Sequence, residues 1–107
     1  MKIFLKGREN QFDATATLEN GIVTVLKGSR VKNSFSEKIA SKALEARKNV
    51  KMDNFVIKEN VSFDSASTAG AFVTGNSTNG LRAWKNSDGK DLGTVFSGKQ
   101  RKPKKEK

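Results

Sequence analysis

Few side chains in this sequence could carry out covalent or metal chemistry. The 107 residues include no histidine, cysteine or tyrosine, so the commonest metal ligands and the usual general base near neutral pH are missing. Asp88 and Asp91 could in principle bind Mg²⁺, but they surround Gly89, which indicates a turn. Ser67 has a lysine within reach but no positioned base or oxyanion hole. We therefore predict no catalytic site, no metal, no cofactor and no enzymatic activity.

Basic residues are the chemistry that the sequence does offer. The net charge is +10, from 21 basic and 11 acidic residues, and the last ten residues hold six of the basic ones and one of the acidic ones. Cations of this kind neutralise phosphates with little sequence preference. The C-terminal segment therefore predicts nucleic-acid binding through Lys99, Arg101, Lys102, Lys104 and Lys105. A segment that only aids solubility, or that meets ribosomal RNA by charge alone, is the open alternative.

A second basic cluster consists of Lys27, Arg30 and Lys32 around Gly28-Ser29. If this turn stands directly before a helix, its backbone N–H groups and its cations can hold a phosphate. The alternative is an ordinary solvated loop, which is the more frequent situation.

A third cluster places Arg82, Trp84 and Lys85 close to Asn79-Gly80. An exposed Trp84 between two cations could stack on an unpaired base. The alternative, that Trp84 fills the core, is favoured because the lone tryptophan of a small domain is more often structural. We nevertheless predict that this cluster is a candidate nucleic-acid site, and the structural role of Trp84 is the alternative.

The elements that must position these clusters begin with a β-hairpin. Residues 12–19 alternate between apolar and polar, Asn20-Gly21 favours a two-residue type I′ turn, and the β-branched residues 22–26 follow. Closing the turn pairs Leu18 with Val23 and Ala16 with Val25, on one face. Further strands are predicted at 3–5, 55–57, 61–63 and 81–84.

Two helices are predicted. Ser34-Phe-Ser-Glu37 matches a capping box and should start an amphipathic helix over residues 35–49. Ser65 should start a second helix, Ala66 to Thr74, which ends at Gly75 in a left-handed cap. The expected fold class is α+β, a mostly antiparallel sheet with two helices in the order β-β-β-α-β-α-β.

Length and hydropathy predict one domain over residues 1–97 and a disordered basic tail over residues 98–107. No apolar segment approaches the roughly 18 to 20 residues that span a bilayer, and the N-terminus lacks the apolar region of a signal peptide. We expect a cytoplasmic protein without a membrane partner.

Several segments, taken in order, resemble the DUF4357 domain. They are Val25-Leu-Lys-Gly-Ser29, the stretch from Phe63 to Gly70, Val73-Thr-Gly75, Asn79-Gly80 and Trp84-Lys85 with the following Asp88-Gly89 and Leu92. The resemblance covers residues 3–96. Ala66 replaces the proline of the family pattern, Gly70 replaces an alanine, and Leu81 stands where an aromatic residue is usual.

This resemblance implies a bacterial accessory domain of unproven activity, often attached to GIY-YIG nuclease domains or found in restriction-modification proteins. A GIY-YIG centre needs tyrosines, which this chain lacks. The leading hypothesis is therefore a nucleic-acid-binding accessory protein associated with restriction or mobile elements. The alternative is a protein–protein adaptor that docks on a nuclease, a methyltransferase or another host protein.

Overall fold

An antiparallel sheet with helices on one face forms the structure, a computed structural model that describes residues 1–7, 9 and 11–95. The strands in this part of the chain are β1 (Lys2–Lys6), β2 (Asp13–Glu19), β3 (Ile22–Val25), β4 (Met52–Asp53), β5 (Val56–Ile57) and β6 (Val61–Phe63). The helices with defined bounds are α1 (Ser41–Asn49), α2 (Ala66–Thr74) and α3 (Gly80–Ala83), and residues 92–95 are helical as well. The α+β class is confirmed.

The main sheet has the strand order β1-β2-β3-β6, and all its neighbours are antiparallel. The β2–β3 hairpin has the predicted register, with Leu18 opposite Val23 and Ala16 opposite Val25. Asn20 and Gly21 have φ angles of 54° and 81°, as a type I′ turn requires. Strands β4 and β5 form a separate two-stranded hairpin.

Side chains of the main sheet alternate between a buried and a solvent-exposed face. Ile3 and Leu5 of β1 are buried together with alternate residues of the other strands, and α2 covers this face with Phe72 and Val73. Lys2, Phe4 and Lys6 of the same strand are exposed. The sheet therefore presents an open outer face that carries both charge and an aromatic ring.

Helix α2 begins and ends where the sequence predicts. The hydroxyl of Ser65 accepts a hydrogen bond of 3.0 Å from the N–H of Thr68, which satisfies one free donor of the first turn. Gly75 ends the helix with a φ of 78°. Both signals are local, which explains why the sequence alone locates them.

Helix α1 begins at Ser41, six residues after the predicted first residue, Phe35. The N–H of Ser36 donates a 2.7 Å bond to the carbonyl of Gly75, and Gly75 also packs closely against Ser34 and Phe35. These contacts hold residues 34–36 against the end of α2 and prevent the capping box from forming. The predicted start was wrong because a distant segment binds the same backbone.

Arg47, a buried residue of α1, donates hydrogen bonds to backbone carbonyls at the end of α2. Its Nε donates to the carbonyl of Phe72 at 2.6 Å, and its two terminal nitrogens donate to Lys32 and Val73 at 2.7 and 3.2 Å. Its guanidinium also lies 5.3 Å from the ring centre of Phe35. Burial lowers the pKa of Arg47 to about 10, so the group stays charged at neutral pH.

The segment predicted as the last strand, residues 81–84, instead contains the short helix α3. The side-chain oxygen of Asn79 accepts from the N–H of Leu81 at 3.1 Å and starts this turn. Leu81 is exposed, and Trp84 is buried. A single strand-like pairing remains just beyond the helix, where Lys85 bridges Phe4 of β1.

Candidate functional site

Trp84 is a core residue and cannot be the base-stacking residue of the third basic cluster. Its side chain has 0% exposure, and its Nε1 donates a 3.0 Å bond to the carbonyl of Ala66 at the start of α2. The structure therefore corrects its inclusion among the nucleic-acid-binding residues and confirms the alternative, a structural role. The helical turn of α3 rotates the ring inward, whereas a strand would have aimed it at solvent.

Arg82 and Lys85 of the same cluster stay on the surface and line a groove. We call it the β1-edge groove; its principal residues are Phe4, Lys6, Phe12, Arg82 and Lys85, and its volume is about 590 Å³. Two backbone hydrogen bonds of 2.8 and 2.9 Å between Phe4 and Lys85 join its two sides. The groove thus combines Phe4, near the N-terminus, with Lys85, which lies 81 positions later in the chain.

Lys6 and the two phenylalanines are groove residues that the sequence analysis missed. Phe4 is 36% exposed, although it lies within the apolar run of residues 3–5. The signal was present, since strict alternation along Lys2-Ile-Phe-Leu-Lys6 places Phe4 on the same face as the two lysines. Nothing in the sequence indicates that Phe12 approaches residues 74–89.

Gly7 fixes the position of Phe12 in the β1-edge groove. A Cβ atom at Gly7 would lie only 2.6 Å from Cε2 of the Phe12 ring, so the ring rests directly against the glycine backbone. The N–H of Gly7 also donates to the carbonyl of Phe12 at 2.9 Å. Any larger residue at position 7 must displace this ring.

The predicted phosphate turn around Lys27, Arg30 and Lys32 does not have the expected geometry. The turn stands well before α1, so it does not present a helix N-terminus. The hydroxyl of Ser29 is buried and bonded to the backbone of Thr15 at 3.0 and 3.2 Å. Lys27 and Arg30 are exposed and Lys32 is half-buried, but the phosphate site proposed for this turn is not formed.

Arg30 instead belongs to a row of residues that runs from β1 across β2 to the β4–β5 hairpin. Lys6 lies opposite Asp13, Asp13 lies opposite Arg30, and Arg30 lies opposite Val56. Residues directly opposite in antiparallel strands point to the same side. The row therefore connects Lys6 in the β1-edge groove with Arg30.

Arg30 lines a second cavity of about 490 Å³ beside the β4–β5 hairpin. We call it the hairpin recess, and its residues are Gln11, Arg30, Val31, Asn33, Asn54 and Phe55. Phe55 was predicted in a strand but lies in the turn, with a φ of 63° after Asn54 at 52°. Its ring is 41% exposed. Amide side chains, one guanidinium and one aromatic ring therefore surround this recess.

The two aspartates considered for Mg²⁺ have separate structural settings. Asp91 accepts a 2.8 Å bond from the N–H of Thr94, while Asp88 is exposed in a turn whose N–H groups bond to Asn86. No group of three metal-ligating side chains occurs within the described residues. The hydrogen bonds from Thr94, and then the charges of Lys85 and Arg82, hold the pKa of the Asp91 carboxyl below its usual range. Asp91 thus offsets part of the positive charge at the groove.

Ser67 has a structural partner, since its hydroxyl accepts a 3.0 Å bond from the N–H of Gly80. The remaining predicted site residues, Lys99, Arg101, Lys102, Lys104 and Lys105, lie outside the described residues. Among the helices that the structure describes, none has the length and apolar character needed to cross a bilayer.

Comparison with known proteins gives one match. The model of a family described as "Domain of unknown function (DUF4357)" matches residues 3–95 of this chain. No curated protein and no solved structure matches at a significant level. The family resemblance of the sequence motifs is confirmed, over nearly the whole of the described part.

Proposed function

The chain belongs to the DUF4357 family, and we propose that it is a non-catalytic accessory protein that binds nucleic acid. Binding uses a basic face on the folded part together with the polybasic C-terminal segment. The proposal includes a cytoplasmic location and, as a working partner, a nuclease or modification protein of a restriction system or mobile element. The proposal covers both DNA and RNA, because contacts to phosphates, which the two share, would supply most of the binding free energy.

The observation that carries this proposal is the composition of the β1-edge groove. Lys6, Arg82 and Lys85 line it, and none of its described lining residues is acidic. Phe4 and Phe12 supply aromatic surface between the cations. Phosphates contribute affinity through such cations, and bases stack on such rings, so one groove offers partners for both parts of a nucleotide.

Electrostatic attraction over longer distance supports the same proposal. Arg30 extends the line of cations beyond Lys6, and the C-terminal segment adds half of the net charge of +10. A polyanion is drawn to such a surface at a rate that falls with ionic strength. Asp13 and Asp91 moderate the field locally without reversing it.

A protein–protein adaptor remains the second candidate, and one observation favours it. Six large apolar side chains are more than a third exposed in the described part, among them Leu81 at 45%, next to the groove residue Arg82. Phe35, however, covers the guanidinium of Arg47, and Ile22 lies at the far end of the sheet. Phe35 therefore already has a partner within the fold.

The test compares three variants of the full-length chain in a salt series with labelled DNA and RNA. The groove variant replaces the three groove cations (Lys6→Gln, Arg82→Gln and Lys85→Gln). The α1 variant replaces three exposed lysines in or near α1 (Lys38→Gln, Lys42→Gln and Lys48→Gln). The tail variant replaces five basic residues of the C-terminal segment by glutamine, namely Lys99, Arg101, Lys102, Lys104 and Lys105. Each lost phosphate contact lowers the slope of log affinity against log salt by about 0.7 to 0.9.

We expect the groove variant to lose about 2 units of this slope, and the α1 variant to lose much less. A groove variant that binds like the α1 variant would refute the proposal for the folded part. If the tail variant alone abolishes binding, the folded part is not a nucleic-acid reader and the adaptor becomes the leading candidate.

A further inference from the structure

Two exposed phenylalanines lie near the two ends of the row Lys6-Asp13-Arg30-Val56: Phe4 is two positions before Lys6 in β1, and Phe55 directly precedes Val56. Phe4 lies in the β1-edge groove beside Lys6, and Phe55 lies in the hairpin recess beside Arg30. Extending the proposed function, we infer that the ligand is single-stranded nucleic acid, with one unpaired base stacked on Phe4 and another on Phe55.

The surroundings of Phe4 suit a stacked base. Its ring projects from the outer face of a sheet whose exposed residues are otherwise mostly polar, in one row with Lys85 and Thr15. Lys2 and Lys6 stand two positions to either side on the same face. A base on this ring would therefore have cations within reach of the phosphates before and after it.

Phe55 is held in a conformation that its side chain disfavours. Its φ of 63° lies in the left-handed region, and the second position of a two-residue hairpin turn of this kind usually holds glycine. Much of the ring still faces solvent, so its burial only partly offsets this strain. An exposed aromatic ring kept at such a position motivates a functional role.

The hairpin recess adds groups that contact the edges of bases. The side-chain amides of Gln11, Asn33 and Asn54 line the recess with Arg30, and amides can donate to and accept from the edge of an unpaired base. These groups fit a base that is already turned out of a duplex.

The row from Lys6 to Val56 has a length that suits a few nucleotides of single-stranded nucleic acid. Lys6, Asp13, Arg30 and Val56 occupy neighbouring positions, and three inter-strand steps span about 14 Å. A few nucleotides of an extended strand cover this distance. Asp13, in the middle, disfavours a phosphate but can accept from the amino group of cytosine. We therefore place the phosphates at Lys6 and Arg30 and a base opposite Asp13, which lies between these two cations.

A duplex does not satisfy this arrangement. The faces of paired bases are covered by their neighbours in the stack, so rings on a protein surface reach them only in unpaired segments. The cations would still attract a duplex, but Phe4 and Phe55 would contribute nothing to its binding.

The test measures binding of the full chain to oligo(dT), oligo(rU) and a matched duplex by calorimetry. Phe4→Leu and Phe55→Leu keep an apolar side chain but remove the ring, and Phe35→Leu is the matched control outside both cavities. We expect each of the first two variants to weaken single-strand binding about tenfold, with the salt slope unchanged. Duplex binding should not change, and the control should behave like the original chain.

The outcomes separate this inference from the proposed function. The inference alone is overturned if duplex and single strand bind equally, if Phe4→Leu and Phe55→Leu have no effect, and if loss of Lys6, Arg82 and Lys85 still weakens binding. Absence of binding to every probe overturns both. Tighter binding of the single strands than of the duplex, weakened by Phe4→Leu and by Phe55→Leu, supports the inference. Circular dichroism of each variant verifies the fold, and either phenylalanine variant suffices for the test.

Discussion

The Nε atom of Arg47 donates a 2.6 Å hydrogen bond to the carbonyl oxygen of Phe72 in the last turn of α2. With the bond to Val73, a single side chain of α1 satisfies two carbonyls that the end of α2 leaves free. A cation at this position also complements the negative end of the helix dipole, and α2 has no basic residue of its own in its last turn.

Replacing Arg47 should therefore destabilise the fold more than replacing the neighbouring residue Lys48. We expect Arg47→Met to lower the free energy of unfolding by about 3 kcal/mol, because the carbonyls of Phe72 and Lys32 lose the Arg47 donor, whereas that of Val73 keeps its bond from the N–H of Lys32. Arg47→Lys keeps the charge but cannot donate to three carbonyls at once. Its free energy of unfolding should therefore lie between those of the original chain and Arg47→Met. Urea denaturation followed by circular dichroism measures the change. Lys48→Met, at an exposed position, is the control, and an equal loss in both variants would contradict this role.

Trp84 and Arg82 are two residues apart and should have opposite mutational effects. Trp84→Phe removes the bond to Ala66 and part of the core volume, so we expect a loss of about 1–3 kcal/mol in unfolding free energy. The folded fraction should still bind nucleic acid normally. Arg82→Gln should leave stability within about 0.5 kcal/mol and weaken binding. Weakened binding in a stably folded Trp84→Phe variant would contradict the assignment of this residue to the core.

Gly80 should not tolerate alanine, although alanine is the better helix former. In an exposed helix this exchange gains up to about 1 kcal/mol. Here the added methyl group would overlap the backbone of Ala66 and Ser67. We expect Gly80→Ala to cost about 2 kcal/mol, because backbone atoms cannot move aside easily. Thermal unfolding against Arg82→Ala, in the same short helix, measures this effect, and a stabilised Gly80→Ala variant would show that α2 and α3 are not in close contact.

Asp91→Asn should strengthen binding of nucleic acid. The substitution removes a negative charge near Lys85 and Arg82, while asparagine can still accept the bond from Thr94. At an exposed site we expect about a two- to fivefold gain in affinity at low salt, which disappears at high salt. Asp88→Asn makes the same change of charge elsewhere in the turn and is the control. Equal gains in both variants would point to net charge alone.

The same carboxyl predicts a pH dependence of stability. The pKa of Asp91 is lowered in the folded protein, so its ionised form stabilises the fold above the ordinary range of an aspartate. This contribution is lost as the pH falls through the lowered folded value. The stability difference between the original chain and Asp91→Asn should therefore be larger at neutral pH than in strong acid. A difference that does not change with pH would contradict the shift.

Local signals predicted the elements whose backbone bonds are local. The β2–β3 hairpin follows from Asn20-Gly21 and the alternation around it, and α2 follows from Ser65 and Gly75. The start of α1 could not be predicted because the N–H of Ser36 bonds to Gly75, 39 positions away in the chain. Residues 81–84 suggested a strand because a helix of four residues is too short to show a periodic pattern.

The candidate site was only partly predictable for a similar reason. Charge and proximity in the sequence identified Arg82 and Lys85, and charge alone suggested Arg30. The partners of these cations, Phe4, Lys6 and Phe12, come from the other end of the chain, and the bridge between Phe4 and Lys85 brings them together. Pairing over such a separation leaves no trace in either segment alone.

The burial of Trp84 has a consequence for spectroscopy. The chain has one tryptophan and no tyrosine, so its intrinsic ultraviolet fluorescence comes essentially from a single indole enclosed in the core. Emission should shift to longer wavelength when the protein unfolds, yet a ligand on the outer face of the sheet cannot quench it by contact. A second indole introduced by Phe4→Trp would report on the groove instead. Unfolding and ligand binding could then be followed as two separate optical signals in the same molecule.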